Sequence, residues 1–489
     1  MSVSLEDLPD DVEKLKQRIA HLNAQNSALA DENQTLRAKL FGRKSEKLDR
    51  EDARQARLFN EAEVISDQPE LIAADDTTTV SAHTRAKKRG RALPEDLERV
   101  EIVHDIDDAE KVCGCGQNLV RIGEETSEKL DIIPQKMIVQ RHVRPKYACK
   151  HCEGSGDESR PAVRIAPVPP QLLPKSIATP GLLAFILTSK FEDALPLHRQ
   201  EKIFARHGIE LSRQTMSNWV LEIGAKVQPL MELLKRDLLS GPVIGADETT
   251  FQVLKEPGRR DTTKSYMWVM RSRAGPDGKP VLYFEYRPTR SAAFLKGMFA
   301  GFRGVLQSDG FSGYESAIGA MTHVKHAGCW AHARRKFYDA QKNNPDSDTL
   351  RSILATVAEL YAVEAEAREH KLKAREIRKL RQRESAPILN DLKRFFDEIA
   401  PAIRPQSETG KAIAYTLNQW ERLRVFLNDG NVPIDNNGVE NKIRPFVIGR
   451  KNWLFAGSPK GAHASAAIYT LIENAKANEI EPYHYLRFL

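Results

Sequence analysis

Three acidic side chains have the residue types and surroundings that metal-dependent chemistry requires. Asp247 follows residues 243–246 and Asp309 follows 304–308, two short apolar runs bounded by glycine, whereas Glu440 lies in the polar stretch 435–441. The two runs predict buried strands and the polar stretch predicts a turn into a helix. Carboxylates from strand ends and a facing helix can hold two divalent metal ions close together. We therefore expect a site that cuts and rejoins DNA.

Two further acids compete for a place in this site. Glu248 follows Asp247 directly, and strand alternation puts it on the opposite face of the sheet. Asp435 precedes two asparagines and is expected to cap the helix that displays Glu440. For any one acid a strand-end cap or an ion-pair partner is the commoner role, so the assignment depends on the three acids together.

The elements that must position these acids form an α/β pattern. Five strands are predicted, with a helix over 292–299 between the third and the fourth: 243–247, 265–271, 281–286, 304–309 and 323–328. Three antiparallel strands followed by a crossover to a parallel strand are typical of ribonuclease H-like nucleases and transposases. The 130 residues between Asp309 and Glu440 are rich in Ala, Glu, Lys and Leu over 350–424, which predicts a helical insertion.

Composition places limits on the class of protein. The 489 residues carry 74 Lys and Arg against 67 Asp and Glu, a net charge of +7 that permits a polyanionic partner. No apolar run is long enough for a membrane helix, so we expect a cytoplasmic protein with no membrane contact. Two basic clusters could neutralise phosphates. They comprise Arg85, Lys87, Lys88, Arg89 and Arg91, and Arg368, Lys371, Lys373, Arg375, Arg378, Lys379, Arg381 and Arg383.

A seven-residue repeat spans residues 12–40. One core position is filled by Leu15, Leu22, Leu29 and Leu36, and the other by Val12, Ile19, Asn26, Asn33 and Leu40. The repeat predicts a parallel coiled-coil homodimer in which each asparagine bonds to its counterpart and fixes the register. The alternative is a single amphipathic helix packed on its own chain.

The stretch that follows, residues 51–98, loses this periodicity and predicts a basic flexible linker. It contains Lys87, Lys88, Arg89 and Arg91, with Gly90 between the arginines. Such a segment can contact DNA phosphates or lie in a narrow minor groove. A solvated charge run is the plainer alternative.

Four of the five cysteines form two close pairs, Cys113 with Cys115 and Cys149 with Cys152. Four thiolates suit a structural Zn²⁺ ion, although one intervening residue in the first pair is unusually short and His151 could replace a cysteine. Alternating apolar residues at 137, 139 and 143 predict a hairpin between the pairs. Four reduced thiols without metal are the alternative.

Residues 166–238 predict a helical DNA-binding region. Helix 199–207, a turn at Gly208 and a second helix capped by Ser212 have the layout of a helix-turn-helix. Four side chains would then face bases or phosphates, namely Arg213, Gln214, Ser217 and Asn218. Ile209, Met216, Trp219 and Val220 would pack inward. An ordinary helical hairpin fits the local pattern equally well.

Several stretches in fixed order resemble the large transposase of the insertion-sequence-66 family over nearly the whole chain. They are LFGRKSEKL at 40–48, RPKYAC at 144–149, ADET at 246–249, SDG at 308–310, GCWAHARRKF at 328–337 and PIDNNGVENKIRP at 433–445. The resemblance implies that Asp247, Asp309 and Glu440 are a two-aspartate, one-glutamate catalytic set for Mg²⁺, or Mn²⁺. It implies binding to element ends and target DNA, and two small accessory proteins as partners.

Further residues take roles from this comparison or from their position. Cys329 and His332 resemble a Cys-x-x-His element found in several such transposases, for which we expect a structural role. Two basic groups near the acids could hold DNA phosphates: Arg334, Arg335 and Lys336, and Arg444, Arg450 and Lys451. Trp453 could stack on a base or pack. Family members usually carry a short tail after the region matching 482–486, whereas this chain stops at Leu489.

These expectations give a domain plan. It consists of a coiled coil (1–50), the linker (51–98), a zinc-binding domain (99–165), a helix-turn-helix domain (166–238), a ribonuclease H-like catalytic domain in two parts (239–345 and 429–489) and a helical insertion (346–428). The competing hypothesis is a noncatalytic DNA-binding regulator. A regulator would not need three acids in this order.

Overall fold

A computed structural model describes residues 136–148, 163–273, 278–319 and 321–489. They divide between two compact units, one within 71–170 and one comprising 171–489. The predicted coiled coil, the basic linker and the four cysteines predicted to bind zinc lie outside the described residues. Among the helices that the structure describes, none combines the length and apolar character needed to cross a bilayer.

The smaller unit contains one short antiparallel pair of strands, β1 (Lys146–Ala148) and β2 (Val163–Ile165). The hairpin predicted over 137–143 is wrong, because residues 136–145 form no strand and Val139 is 95% exposed. The alternating apolar side chains of residues 137–143 have no apolar surface to pack against among the described residues of this unit. Arg144 Nε instead donates to the carbonyl oxygen of Ala166 at 2.8 Å, which ties the two segments together.

The larger unit begins with four helices, α1 (Pro180–Phe191), α2 (Leu197–Arg206), α3 (Arg213–Lys226) and α4 (Gln228–Ser240). The two helices and the cap predicted for the helix-turn-helix are present. Ser212 Oγ accepts a hydrogen bond from the backbone N–H of Thr215 at 3.1 Å. Met216, Trp219 and Val220 are buried, so α3 packs its predicted apolar face inward and leaves its polar face outside.

A mixed sheet follows, with the strand order β5-β4-β3-β6-β7. The strands are β3 (Val243–Val253), β4 (Lys264–Ser272), β5 (Leu282–Arg287), β6 (Gly304–Gln307) and β7 (Val324–Ala327). β3, β4 and β5 pair antiparallel, whereas β6 pairs parallel with both β3 and β7. Helix α5 (Ala292–Met298) provides the predicted crossover between β5 and β6.

The first strand is longer than its sequence predicts, so Asp247 lies in the middle of β3 and not at its end. The threonines and Phe251 after the acids favour extended structure and continue the pairing with β4 as far as Gln252. On the other edge β6 pairs only with residues 243–245, and a short strand, β8 (Phe455–Ala456), pairs with 252 and 253. Asp247 therefore lies just beyond the point where the β6 pairing stops.

Two apolar cores cover the two faces of the sheet. Ile244 and Leu306 belong to a core with α4, α5 and helix α6 (Ser312–Ile318). Val243 and Val305 belong to a core with α7 (Trp330–Asn343) and the helices of the insertion. Because successive strand residues point to opposite faces, this alternation divides the two cores along β3 and β6.

The predicted helical insertion is present. It comprises α8 (Asp348–Glu369), α9 (Ala374–Arg383), α10 (Ser385–Ile399), α11 (Glu408–Asn418) and α12 (Trp420–Leu423). Trp330 Nε1 on α7 donates to the carbonyl oxygen of Leu423 at 2.9 Å, so the insertion closes back on the sheet. One member of the predicted basic cluster is not available to phosphates, because Arg381 is 1% exposed and pairs with Glu364.

Three helices complete the chain, α13 (Asn437–Trp453), α14 (Pro459–Ala477) and α15 (Pro482–Phe488). α14 covers the edge strand β5. Asn474 accepts from the backbone N–H of Leu282 at 3.0 Å and donates to its carbonyl oxygen at 2.7 Å, while Thr470 Oγ1 accepts from the N–H of Phe284. The edge strand thus has its backbone groups satisfied by side chains of a helix.

Candidate active site at the junction of β3, β6 and α13

Asp247 is surrounded by other acids. Its Oδ1 accepts the backbone N–H of Glu248 at 2.8 Å. Burial, followed by the charges of Glu248, Glu440 and Asp309, raises the pKa of Asp247 well above its ordinary value. Like charges at close range favour the protonated form unless a cation offsets them. The three predicted acids are therefore brought together; Asp247 is half-buried and Glu440 is the most buried of them.

Asp309 lies two residues beyond the end of β6. Its Oδ1 accepts the N–H of Phe311 at 3.1 Å, and its Oδ2 lies 3.6 Å from the Nη2 of Arg290. The Asp309 side chain retains 24% of its surface exposed. Asp309 is thus accessible to a substrate from outside, as the half-buried Asp247 is in part.

Glu440 lies in the first turn of α13 and is 4% exposed. The start of this helix is held against β3 by Asn436, whose Nδ2 donates to the carbonyl oxygen of Ala246 at 3.0 Å. Gly245 makes that approach possible, because a Cβ there would lie 2.5 Å from Val439 Cγ2 and 2.6 Å from Asn436 Oδ1. α13 therefore delivers Glu440 to the stretch of β3 that β6 leaves uncovered.

Asp435 was expected to cap this helix, but Asn436 occupies the N-cap position and Asp435 lies one residue before it. Its carboxylate accepts both the backbone N–H and the side-chain amide of Asn437 at 3.1 Å. Burial raises the pKa of Asp435, while the hydrogen bond from Asn437 and a second one from Tyr361 lower it. These bonds place Asp435 on the helix start and leave Glu440 directed to the other acids.

Cys329 and His332 also contact this helix. Cys329 Sγ accepts the backbone N–H of Asn436 at 3.2 Å, and His332 Nδ1 lies 3.6 Å from Glu440 Oε1. Ligand atoms of Cys329, His332 and Glu440 all lie within 4.8 Å of one another. Burial lowers the pKa of His332 to about 4, so the ring is neutral near pH 7 and its contact with Glu440 is not an ion pair. The Cys-x-x-His spacing marks Cys329 and His332 in the sequence, but nothing in the sequence predicts their contacts with the helix of Glu440.

Glu248 lies on the sheet face that alternation predicts, yet it is linked to the site. Tyr314 Oη donates to Glu248 Oε2 at 2.7 Å, and Arg290 pairs with Glu248 as well as approaching Asp309. Burial raises the pKa of Glu248 to about 7, against the opposing effect of Arg290. Sequence reasoning missed Arg290 and Tyr314, because nothing in their local patterns marks them.

The predicted DNA-contacting residues are placed on several elements. On α3, Arg213, Gln214 and Asn218 are exposed and Ser217 is half-buried. On α7, Arg334 and Lys336 are exposed, and after burial the charges of Arg335 and Lys336 also lower the pKa of His332 on the same helix.

On α13 the surroundings of the basic residues vary. Lys451 is exposed and Arg444 is half-buried, whereas Arg450 Nη1 contacts Thr249 Oγ1 at 3.4 Å and burial lowers its pKa to about 10. Trp453 packs in an aromatic group, with ring centroids 5.4 Å from Phe446 and 6.4 Å from Phe251. Packing is thus the role of Trp453 in this structure.

Comparison with known proteins gives the family. The family described as "Transposase IS66 family" matches residues 175–464, which include the sheet and all three acids. "Zinc-finger binding domain of transposase IS66" matches residues 110–153, which contain the four cysteines predicted to bind zinc. This match supports a structural zinc. "Transposase C of IS166 homeodomain" matches 28–102.

Three proteins of Sinorhizobium fredii (strain NBRC 101917 / NGR234) are similar over most of the chain. Uncharacterized protein y4jD is 34% identical over 99% of this chain and 93% of its own length. Uncharacterized protein y4qI is 36% identical over 82% and 74%, and uncharacterized protein y4hP is 31% identical over 91% and 82%. Together with the site just described, these matches show that the chain belongs to the IS66 family of transposases.

Proposed function

We propose that this transposase cuts and joins DNA at the Asp247, Asp309 and Glu440 site. The observation that carries the proposal is the electrostatic coupling of Asp247 to Glu440 and Asp309 at a place where α13 meets β3. Burying several carboxylates together costs free energy that a bound cation offsets. The strand order, antiparallel over β5-β4-β3 and parallel over β6 and β7, supports a ribonuclease H-like assignment.

The donor set fits Mg²⁺ or Mn²⁺, because hard divalent cations prefer carboxylate oxygens. Asp247, Asp309 and Glu440 would hold these ions, which when bound activate a water or a DNA 3′-hydroxyl and stabilise the leaving oxygen. The surrounding residues orient the acids. Arg290 is fixed by Glu248 and approaches Asp309, while neutral His332 packs against one oxygen of Glu440.

The remaining parts of the chain would bring DNA to this site. We place phosphate contacts on the basic residues of α3, α7 and α13 and on the 87–91 segment, with a structural zinc bound by Cys113, Cys115, Cys149 and Cys152. A dimer formed through residues 12–40 would hold two element ends, and two small accessory proteins would complete the machinery. The protein would act at the nucleoid, where its DNA substrate lies.

Asp309→Asn tests the catalytic assignment. Purified protein with Mg²⁺ and a duplex containing an element end should produce nicks with 3′-hydroxyl ends. The variant should bind the same duplex but lose at least about 10³-fold in nicking rate, because one metal ligand has lost its charge. The measurement is denaturing electrophoresis of end-labelled DNA beside a binding titration.

A matched control is Asp397→Asn, which removes an exposed carboxylate paired with Lys393 on the insertion. It should nick as the wild type does. Equal nicking by wild type and Asp309→Asn would reject the assignment of this catalytic site. The noncatalytic DNA-binding regulator would then be the preferred hypothesis.

A further inference from the structure

Helix α9 of the insertion has two faces of different character. Leu380 packs in a small core with Val363 and Ala367 of α8, and Arg381 beside it is buried. The opposite face lines a surface depression of about 530 Å³. Its residues are Arg375, Arg378, Lys379, Gln382 and Arg383, and all of them are exposed. Because each of them lies three or four positions from another member of the set, they form one stripe along the helix.

Most of this cationic stripe is not neutralised by neighbouring acids. Arg383 pairs with the exposed Glu384, and the Glu376 carboxylate is occupied by the backbone N–H of Lys373. Within the described residues, no ion pair joins Arg375, Arg378 or Lys379 to a carboxylate. Other cations on the surface of the insertion, exposed or half-buried, do have such partners. They are Arg351 with Asp348, Lys393 with Asp397 and Arg394 with Asp391.

Helix α9, which carries the stripe, is held in place by hydrogen bonds of the buried Arg381. Arg381 donates to both carboxylate oxygens of Glu364, at 2.6 and 2.7 Å. Its Nη1 also donates to three carbonyl oxygens, those of Phe426, Asp429 and Val432, at 2.8, 3.0 and 2.9 Å. α9 is thereby fixed to the segment that leads through Asp435 into the helix of Glu440. A preformed surface loses little conformational entropy when it binds.

We propose that the cationic stripe of α9 binds the phosphate backbone of duplex DNA. This inference rests on the proposed function, since it gives the DNA a second contact surface outside the carboxylate site. Residues 375 and 383 lie about 12 Å apart along the helix, and phosphates of one strand rise about 3.4 Å per nucleotide, so the stripe spans three or four of them. The face has no apolar anchor of the kind that protein partners use. Guanidinium and ammonium contacts to phosphate are independent of sequence.

The test compares two triple variants that each lose three positive charges. One is Arg375→Ala, Arg378→Ala and Lys379→Ala, and the control is Arg351→Ala, Lys393→Ala and Arg394→Ala. Affinity for a duplex without element ends is measured by fluorescence anisotropy without added Mg²⁺ or Mn²⁺, between about 50 and 200 mM salt. For the stripe variant we expect the slope of log K against log salt to become shallower by about 0.9 per lost contact, or 2 to 3 in total.

The control variant should keep the wild-type slope, because its cations are paired with acids. Equal slopes for the two variants would overturn the inference, since net charge alone would then explain any change. Near-ultraviolet circular dichroism confirms that both variants fold. Omitting Mg²⁺ and Mn²⁺ makes this result independent of catalysis, so an absence of nicking with a shallower slope would reject only the proposed function. Nicking with an unchanged slope would reject only the stripe.

Discussion

At the scale of single residues, the position of Glu440 depends on a residue that has no side chain. Gly245 lies two residues before Asp247, and α13 approaches its Cα so closely that any Cβ would meet Val439 and Asn436. The same asparagine donates to the carbonyl oxygen of Ala246. The distance between the glutamate helix and the aspartate strand is therefore set by the absence of one methyl group.

Gly245→Ala should separate these two elements. The new Cβ would overlap Val439 Cγ2 and Asn436 Oδ1, and overpacking of this kind costs about 1–3 kcal/mol of unfolding free energy. Displacement of about 1 Å at a catalytic group costs about 10²-fold in rate. We expect a folded protein that nicks DNA about 10²-fold more slowly and needs more Mg²⁺ for half-maximal rate. Nicking assays over a metal titration, with thermal unfolding, measure both effects.

Gly297→Ala is the matched control. A Cβ at Gly297 in helix α5 would meet nothing within 4 Å, so alanine there should stabilise the protein slightly and leave nicking unchanged. Wild-type nicking by Gly245→Ala would mean that α13 can move without affecting Glu440.

Some residues of the site could be chosen from sequence and others could not. Asp247, Asp309 and Glu440 stand at ends of apolar runs or at a helix start, and such patterns are local. Arg290 precedes helix α5 and Tyr314 lies within helix α6, and neither has a special spacing in the sequence. Their contacts with Glu248 span 42 and 66 positions of the chain and exist only in the folded sheet.

At the scale of elements, α13 is held at both ends. Its C-terminal end packs against α1 through Trp453 and Lys190, whose Nζ lies 5.5 Å from the tryptophan ring centroid and 5.1 Å from that of Phe191. Asn452 Nδ2 also donates to the carbonyl oxygen of Ala194 at 3.0 Å. Burial lowers the pKa of Lys190 to about 8. This seam therefore contains a charge whose burial costs stability.

The sign of the pH effect follows from the two pKa values. Below about pH 8, Lys190 is charged in both states and the folded state bears the cost of burying the charge. Between about 8 and 10.5 the folded protein releases its proton first, so the free energy of unfolding rises with pH. Lys190→Met removes the charge. The variant should have a higher free energy of unfolding than wild type at pH 7. This difference should shrink by about 1–2 kcal/mol by pH 10, because contacts with the aromatic rings already offset part of the cost of burying the charge.

Urea unfolding at several pH values measures the difference. Lys202→Met provides the control, because Lys202 is exposed on α2. A pH-independent gap between Lys190→Met and wild type would show that the lysine keeps its charge without cost in the folded state.

Element prediction succeeded where the signal was local. The five strands, the crossover helix, the Ser212 cap and the helical insertion follow from apolar periodicity and capping residues. β3 runs six residues beyond its predicted end, because its extension is stabilised by pairing with the next strand, β4, and with β8, which is distant in sequence. Arg381 looked like one of eight equivalent cations. Its burial depends on Glu364 seventeen positions away and on three carbonyl groups of another segment.

At the scale of the whole molecule, the proposed strand transfer would need two DNA ends in one assembly. The sheet and α13 supply one set of acids per chain, so a second chain would supply the second set. The repeat at residues 12–40 is the part of the sequence suited to join two chains. Once one chain of such a dimer binds an element end, the second element end would be at a higher effective concentration for the partner chain.

Asn26 and Asn33 should limit this assembly to two chains. A buried asparagine pair at a core position costs stability but fixes register and disfavours higher oligomers. With Asn26→Ile and Asn33→Ile together, isoleucine would fill that core position. We expect the wild type to sediment as a dimer and the double variant to form tighter assemblies that include trimers, because the polar restriction is gone.

Sedimentation equilibrium of the full chain measures this distribution. Asn23→Ala with Gln34→Ala changes polar residues of the same helix outside the two core positions, so it should remain dimeric. A wild-type protein that sediments as a monomer at every concentration would contradict the coiled-coil dimer, since the repeat would then pack on its own chain. The two element ends would in that case have to be paired by the DNA-bound complex itself or by a partner protein.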